Sequence, residues 1–217
     1  MVVPTLSEAS TVGAAIASAR ERLDPCEVIV VDAGSTDATQ EVARRGGAHV
    51  IVAPGSRAVA MNAGARLAQG DALLFLHADT TLPEGAGAAV RKALHSADGG
   101  AFRLRYDERR PVLHLFGDLL ARFVQPVYGD QAIFVTRAAF DRIGGFQPMP
   151  IMEDCDLVQR LRKQGRFTLL DLSVRTAARR HRAQGTAATV VRVWAIKCLY
   201  RVGVSPVRLA RIYPPAR

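Results

Sequence analysis

LLFLHADTT, residues 73–81, is the stretch that decides which fold this sequence predicts. Its short apolar run follows Gly70-Asp71 and passes directly into polar residues. Apolar runs of this length are typical of strands that are covered on both faces in a parallel sheet. In open α/β sheets, ligands bind beyond the carboxyl ends of the strands, so we expect His77 and Asp79 at a ligand-binding edge. There the imidazole and the carboxylate can converge on one divalent cation, or Asp79 can simply cap the next segment.

Three similar units precede this stretch. Residues 1–5, 28–32 and 48–52 are predicted strands, and a predicted helix follows each of them, within residues 8–23, 33–45 and 57–68. Strands that alternate with helices in this way indicate a parallel sheet with right-handed crossover connections. The predicted fold class is therefore α/β, with a mostly parallel sheet flanked by helices.

Beyond residue 82 the pattern is less regular. We predict helices over residues 83–96, 111–124, 138–143 and 152–165, strands over 101–108, 132–135 and 166–172, and a loop over 125–131. One or two further helices, interrupted near Gly203 and Pro206, are expected at the C-terminal end. We therefore predict a main domain over residues 1–185 and a helical tail over residues 186–217.

The excess positive charge lies in the C-terminal segment. Residues 172–217 contain ten Lys or Arg and no Asp or Glu, whereas the rest of the chain contains 19 basic and 20 acidic residues. This asymmetry indicates an anionic partner, such as nucleic acid, an acidic membrane surface or a phosphorylated substrate. Basic and apolar residues interleave over residues 190–200. That pattern is typical of a helix at a membrane interface, or of a helix packed on the domain with its basic face in solvent.

The composition excludes several classes of protein. A content of 49% hydrophobic residues in 217 excludes a disordered chain. Cys26, Cys155 and Cys198 are odd in number and unpatterned, which argues against a disulfide framework or a zinc site. We find neither a secretory signal nor an uninterrupted apolar stretch of about 18 residues. These features predict a cytoplasmic protein, with peripheral contact at the inner membrane face as an open alternative.

Polar residues also cluster at the end of a predicted strand and at the start of a predicted helix. Asp32 ends the second strand and precedes Gly34-Ser35, so its carboxylate either contacts a nucleotide or organises an ordinary turn. Glu153, Asp154 and Asp156 crowd the start of a helix. Mutual repulsion raises the pKa of a carboxyl and a helix N-terminus lowers it. The cluster therefore either holds a general base or complements the helix dipole.

Several of these segments resemble motifs of one family, the inverting family 2 glycosyltransferases of the GT-A fold. PTLSEA resembles the opening PxxNE motif, with Ser7 in place of Asn, and VVDAGSTDAT resembles VVDDGSTDGT, with Ala33 in place of Asp. MNAGARLAQGDALLFLHAD and MEDCDLVQRLRKQG resemble the family's third and fourth motifs. The resemblance covers nearly the whole chain, and the order and spacing of the motifs are more specific than any single motif. LFLHADT, YGDQAIF and LYRVGVSPVRLARIY are similar to a bacterial branch labelled by association with arsenosugar biosynthesis and radical SAM or selenium-related genes.

The resemblance implies roles for individual residues. Asp154 would be the catalytic base, supported by Glu153, and Asp79 would hold Mg²⁺ or Mn²⁺ on the donor's diphosphate. The implied nucleotide-binding residues are Pro4, Glu8, Asp32, Gly34, Ser35, Arg57, Asn62, His77 and Ala78. The expected contacts to sugar, acceptor or phosphate are Gly129, Asp130, Gln131, Arg179, Arg180 and His181. Guanidinium groups suit this task because they match phosphate oxygens bidentately, although surface arginines are also often only solvated.

The predicted function is thus metal-assisted transfer of a sugar from a UDP- or GDP-sugar to a small-molecule or lipid acceptor, with inversion. One rival is a nucleotidyltransferase, which would carry a Gly-rich phosphate loop near the first strand, and PTLSEAST contains none. Another rival is a non-catalytic module that binds an anionic partner through the tail. Such a module needs neither Asp79 nor the Glu153-Asp154 pair. We do not expect a nucleic-acid partner, because the tail contains no recognisable reading motif.

Overall fold

A computed structural model describes residues 1–106, 129–177 and 186–212, with only the backbone described over residues 186–190. The described residues form eight strands: β1 Val2–Thr5, β2 Ile29–Asp32, β3 His49–Val52, β4 Ala72–Phe75, β5 Thr80–Thr81, β6 Gly99–Tyr106, β7 Ile133–Thr136 and β8 Phe167–Thr176. They also form eight α-helices: α1 Val12–Arg22, α2 Thr39–Arg45, α3 Arg57–Leu67, α4 Ala86–Leu94, α5 Arg137–Arg142, α6 Glu153–Gln164, α7 Thr186–Arg201 and α8 Pro206–Ile212. A 3-10 turn spans Gly129–Gln131.

The strands form one sheet in the order β3-β2-β1-β4-β7-β6-β8-β5. Strands β3, β2, β1 and β4 pair in parallel, β7 is antiparallel to both of its neighbours, and β6 pairs with β8 in parallel. The prediction of a mostly parallel α/β sheet is therefore confirmed. The predicted segment 111–124 and most of the predicted loop 125–131 lie outside the described residues.

Helices cover both faces of the sheet because successive strand residues point to opposite sides. Val3, Val30 and Leu74 pack into the cluster that includes Ile16 of α1 and Val90 of α4. On the opposite face, the second cluster combines apolar residues of β1, β2 and β4 with α3, α5 and α6: Val2, Val31, Leu73, Met61, Phe140 and Leu157. The uninterrupted apolar strands of the sequence thus reflect burial on two sides.

The chain makes a turn after β4 that the sequence did not predict. Residues 76–79 leave the strand, and Thr80 and Thr81 pair antiparallel with Thr176 and Arg175 at the end of β8. Strand β8 accordingly continues to Thr176, beyond the predicted end at residue 172. A two-residue strand shows no periodicity, which is why the sequence contains no sign of it. This pairing holds Asp79 between two ordered strands.

The C-terminal helices α7 and α8 follow the sheet domain. Among residues 191–212 of these helices, Ile196 and Leu209 are the most buried side chains, with 4% and 0% of the surface exposed. Of the helices in the described part of the chain, none has the length and apolar character needed to cross a bilayer.

Candidate functional site

His77 and Asp154 approach each other across Gly129. The backbone N–H of Gly129 donates a hydrogen bond to Oδ2 of Asp154. A Cβ added to Gly129 would lie 2.7 Å from Nε2 of His77 and 3.0 Å from Oδ2 of Asp154. His77 follows β4, Gly129 begins the turn before β7, and Asp154 lies in the first turn of α6. The fold therefore brings three segments that are distant in sequence to one point at the edge of the sheet.

Arg57 joins this point to the start of α3. Its Nη1 atom lies 3.4 Å from Nε2 of His77 and 3.4 Å from Oε1 of Glu153. The Arg57 side chain is 48% exposed, whereas that of Glu153 is only 4% exposed. The guanidinium thus neutralises a buried acid on one side and faces solvent at the ligand edge on the other.

The surroundings of half-buried His77 favour a neutral imidazole. Burial first, and then the nearby guanidinium, lower the pKa of His77 to about 3. A neutral imidazole keeps one ring nitrogen with a lone pair, which can accept a hydrogen bond or bind a metal. His77 is therefore not a cationic partner for phosphate near neutral pH.

Glu153 and Asp154 occupy the positive end of α6, as predicted. Burial raises the pKa of Glu153, the charge of Arg57 opposes this shift, and the charge of Asp154 adds to it. Asp156, the third acid of the cluster, lies 2.6 Å from Arg160, whose guanidinium also donates to the carbonyls of Ile143 and Gly145. Asp156 is thus part of a structural network, while Asp154 faces Gly129.

Asp130 is a half-buried residue in the same place, and the Oδ1 atom of its carboxylate is buried. Its Oδ1 atom has no hydrogen-bond partner. Among the described residues, no other buried side-chain N or O atom lacks a partner. Burial raises the pKa of Asp130 to about 6; Lys197 opposes the shift, and the charges of Asp154 and Asp79 add to it. Three carboxylates therefore interact electrostatically at this edge.

Lys197 of α7 is a cation at the site that sequence reasoning missed. Burial lowers the pKa of its ammonium group to about 8, and the negative charges of Asp130 and Asp154 act against that shift. No motif marks Lys197, because it lies among other basic residues of the tail. Only the packing of α7 brings it close to residues 130 and 154.

Asp79 is held by hydroxyl groups from two strands. Oδ1 of Asp79 lies 3.4 Å from Oγ1 of Thr80 and 3.4 Å from Oγ1 of Thr176. Among the described residues, no group of three or more His, Cys, Asp or Glu side chains is arranged to hold a metal ion. Mg²⁺ and Mn²⁺ are nevertheless commonly bound by one or two carboxylates together with phosphate oxygens of a substrate. Asp79, with the unpartnered oxygen of Asp130 nearby, fits an ion that shares its coordination with a diphosphate.

Asp32 organises the turn that follows β2. Its oxygens accept hydrogen bonds from the backbone of Gly34 and Ser35 at 2.9 and 2.7 Å, and from the Ser35 hydroxyl at 2.5 Å. Further donors are Gln40 at 3.1 Å and Thr5 at 3.2 Å. Burial alone would raise the pKa of Asp32, but these hydrogen bonds hold it below its usual value. The structure supports the turn-forming alternative directly, and contact with a nucleotide stays a prediction.

The other predicted nucleotide-binding residues have different surroundings. Pro4 lies near the end of β1, and Ala78 is buried beside His77. Glu8 Oε2 accepts a hydrogen bond from the Thr11 hydroxyl at 2.8 Å, next to the start of α1. Both polar atoms of the Asn62 amide pair with the backbone of Phe146, at 2.7 and 2.9 Å. Asn62 thus connects α3 to the loop that contains Phe146, and its side chain does not join the cluster around Gly129.

Gln131 is also engaged by the protein, since its Nε2 donates to the carbonyl of Phe102 at 3.0 Å. This bond anchors the 3-10 turn to β6. The remaining predicted phosphate contacts, Arg179, Arg180 and His181, lie outside the described residues.

Strained backbone surrounds the site. The non-glycine residues with positive φ in the described part of the chain are Ser7 at 57°, Ala132 at 49° and Met152 at 70°. Ala132 follows the Gly129–Gln131 turn, and Met152 precedes Glu153 directly. Such conformations are costly for L-residues and persist where the surrounding structure imposes them, often at functional sites. Two of the three therefore flank the elements that position Asp130 and Asp154.

Comparison with known proteins agrees with this geometry. The family model described as Glycosyl transferase family 2 matches residues 1–108, which include β1 to β4, Asp32, His77 and Asp79. Residues 1–108 thus match a glycosyl transferase family 2 domain. A PGL/p-HBAD biosynthesis glycosyltransferase of Mycobacterium bovis is 32% identical over 175 residues, covering 67% of this chain and 62% of that relative. The chain thus spans less than two thirds of the length of this curated relative.

Solved structures share the fold of this family 2 domain. A mannosyltransferase from Pyrobaculum calidifontis, in complex with GDP-Man and Mn²⁺, aligns with a TM-score of 0.68 and 22% identity, covering 97% of this chain and 66% of that one. Glucosyl-3-phosphoglycerate synthase from Mycobacterium tuberculosis, with Mn²⁺, UDP and its product, aligns with a TM-score of 0.56 and 23% identity over 79% and 68% of the two chains. These similarities establish a GT-A-like α/β fold.

Proposed function

We propose that this chain is an inverting glycosyltransferase that moves a sugar from a UDP- or GDP-sugar to an acceptor hydroxyl. The observation that carries the proposal is the meeting of Asp154, His77 and Asp130 around Gly129, at the sheet edge where α/β folds bind ligands. Asp154 lies at the start of a helix, where the helix dipole favours its ionised form. An ionised carboxylate at such an edge has the chemistry of a general base.

In the proposed reaction, Asp154 accepts the proton of the acceptor hydroxyl. The acceptor oxygen then forms a bond to the anomeric carbon as the bond to the diphosphate breaks on the opposite side, which inverts the configuration. Arg57 contacts the departing diphosphate with the exposed side of its guanidinium, and Glu153 holds Arg57 in place. When Mg²⁺ or Mn²⁺ is bound, Asp79 would hold it, and the ion would neutralise charge on the leaving group.

The finer features of the proposal rest on the motifs and on similar proteins. Solved structures of the same fold contain GDP-Man or UDP with Mn²⁺, which supports a nucleotide-sugar donor and a divalent metal. The acceptor is a small molecule or a lipid, and the basic tail makes peripheral contact with a membrane. Assignment to the branch labelled by arsenosugar biosynthesis rests on LFLHADT and YGDQAIF. We further propose a cytoplasmic location and a division into residues 1–185 and 186–217.

Calorimetry with UDP, GDP and dTDP, first with Mn²⁺ and then with EDTA, tests the donor site. We expect one nucleotide to bind, and to bind much more weakly in EDTA, because the diphosphate would share the ion with Asp79. If none of the three binds in either condition, the proposed donor site is wrong.

Asp154→Asn tests the assignment of the base. We expect nucleotide binding within about twofold of the wild type and a loss of sugar transfer of about 100-fold or more, measured as nucleoside diphosphate released from the donor. Asp141→Asn, an exposed Asp on α5, is the matched control. Near-normal turnover by Asp154→Asn would show that another group accepts the proton.

A further inference from the structure

The C-terminal helices expose apolar side chains on a regular stripe. Val191, Ala195, Cys198 and Val202 are all exposed and are spaced by four, three and four residues. That spacing places them on one side of α7 and its C-terminal end. Val191 is 67% exposed and Val202 is 78% exposed. We call these four residues the α7 stripe.

Helix α8 also exposes apolar side chains. Val207 and Ile212 are 59% and 53% exposed, while Leu209 on the other side of the helix is fully buried. Arg208 and Arg211 are exposed beside the two apolar residues. We call Val207, Arg208, Arg211 and Ile212 the α8 face.

Exposed apolar residues are concentrated here. Across the described residues, nine large hydrophobic side chains are exposed, and four of the nine lie within residues 191–212. The same segment contains five cations, at positions 192, 197, 201, 208 and 211, and no acidic residue. Large exposed side chains that are concentrated in one segment of the chain indicate an interaction site.

The opposite side of α7 faces the candidate catalytic site. Lys197 interacts electrostatically with Asp130 and Asp154, and Tyr200, one turn further on, with Asp156 and Cys155. Neither residue belongs to the α7 stripe. Since a helix with its side chains is about 10 Å wide, the stripe lies roughly one helix diameter from the catalytic edge.

We propose that the α7 stripe and the α8 face dock on an anionic lipid bilayer, so that α7 forms the boundary between the membrane and the catalytic site. Apolar side chains interspersed with arginine match a bilayer, because the apolar groups enter the headgroup boundary while the cations meet anionic headgroups. A nucleic acid would satisfy the cations but leave the valines and Ile212 exposed. A second copy of this chain would bring cations against cations, which is unfavourable.

This surface implies a class of acceptor, an inference that rests on the proposed function. A site held about one helix diameter from a bilayer is suited to an acceptor whose hydroxyl emerges from the membrane surface. The docking itself does not depend on any sugar transfer, and it is therefore tested separately.

The only tryptophan of the chain, Trp194, provides the assay. It lies three residues after Val191 and four before Cys198, so it borders the α7 stripe. We expect its fluorescence to shift to the blue when the full chain meets vesicles of phosphatidylcholine with phosphatidylglycerol. Vesicles of pure phosphatidylcholine should give a much weaker shift, and salt should weaken the anionic response.

Two variants, each with a matched control, test whether the α8 face and the α7 stripe bind vesicles. Each cation near an anionic membrane contributes about a fivefold gain in partitioning, so Arg208→Gln with Arg211→Gln should weaken vesicle binding roughly thirty-fold. The same change at two exposed arginines of α2, Arg44→Gln with Arg45→Gln, should leave binding unchanged. Val202→Asp should also reduce binding, whereas Leu67→Asp, at a 44% exposed residue of α3, should not.

Several outcomes would overturn the proposal: no shift with anionic vesicles, an equal loss in the control variants, or a fluorescence response to duplex DNA instead. A concentration-dependent dimer, seen by light scattering and abolished by Val202→Asp, would assign the surface to a second copy of the chain. Nucleotide binding is measured in the same preparations without lipid. Vesicle binding that fails while nucleotide binding persists refutes the docking surface alone, and the reverse result refutes the proposed donor site alone.

Discussion

Replacing Asp130 with Asn should remove a pH-dependent cost to the stability of the protein. The carboxylate interacts electrostatically with Asp154 and Asp79, its buried Oδ1 atom has no hydrogen-bond partner, and desolvation raises its pKa from 3.8 to about 6. Asn has nearly the same shape and carries no charge at any pH. The comparison therefore isolates the cost of ionising residue 130 in the folded state.

The size and sign follow from proton linkage. Below pH 3.8 the carboxyl is protonated in both the folded and the unfolded state, so the charge costs nothing. As the pH rises toward 6, the unfolded chain ionises while the folded protein resists, and the free energy of unfolding falls. A difference of about two pKa units at 1.36 kcal/mol each gives a loss of about 3 kcal/mol above pH 6. Because the unfolded carboxyl is already partly ionised at pH 4, Asp130→Asn should gain about 2.4 kcal/mol relative to the wild type between about pH 4 and about pH 7.

Urea denaturation of both proteins at these two pH values measures the effect. The informative quantity is the change in the stability difference with pH, because any packing effect of the new amide is common to both conditions. Asp171→Asn is the control, since the Asp171 side chain is 94% exposed. A stability difference that is independent of pH, or that decreases as pH rises, would refute the burial and charge environment described for Asp130.

Two further predictions concern the backbone of the site. Gly129→Ala should lower donor turnover by about tenfold or more, because its Cβ would displace His77 or Asp154. Gly70→Ala, whose Cβ would make only an ordinary contact at 3.5 Å, is the control, and unchanged turnover in Gly129→Ala would contradict the geometry. Ser7→Asn should raise the free energy of unfolding by about 0.5 kcal/mol, because Ser7 has φ of 57° and Asn tolerates this conformation better. The same change at exposed Ser10, which has no positive φ, should give no gain in urea denaturation, and a loss of stability in Ser7→Asn would contradict the argument.

The backbone conformation of Ser7 is related to one difference between this chain and the family motif. The motif carries Asn where this chain has Ser7, and the structure places that residue in the left-handed region that Asn favours. Ser7 is held there by its backbone N–H, which donates to the Ser35 hydroxyl at 2.8 Å. The hydrogen bond supports the turn after β1 although the side chain does not favour its conformation.

The α/β class, the four parallel strands of the first half, and the acids after β4 and at the start of α6 are all predictable from local sequence patterns. This is possible because strands buried on both faces have uninterrupted apolar runs, and because residues that follow parallel strands must meet at one edge. These are local patterns that depend only on neighbouring residues.

The surroundings of those side chains became visible only in the folded protein. It showed that Asp32 accepts hydrogen bonds from its own turn, that Asn62 pairs with the backbone of a loop, and that Lys197 of the tail interacts electrostatically with Asp130. The physical reason is that hydrogen-bond partners, burial and charge environment depend on residues tens of positions apart in the chain. Spacing in a sequence carries no information about which of these distant groups come into contact.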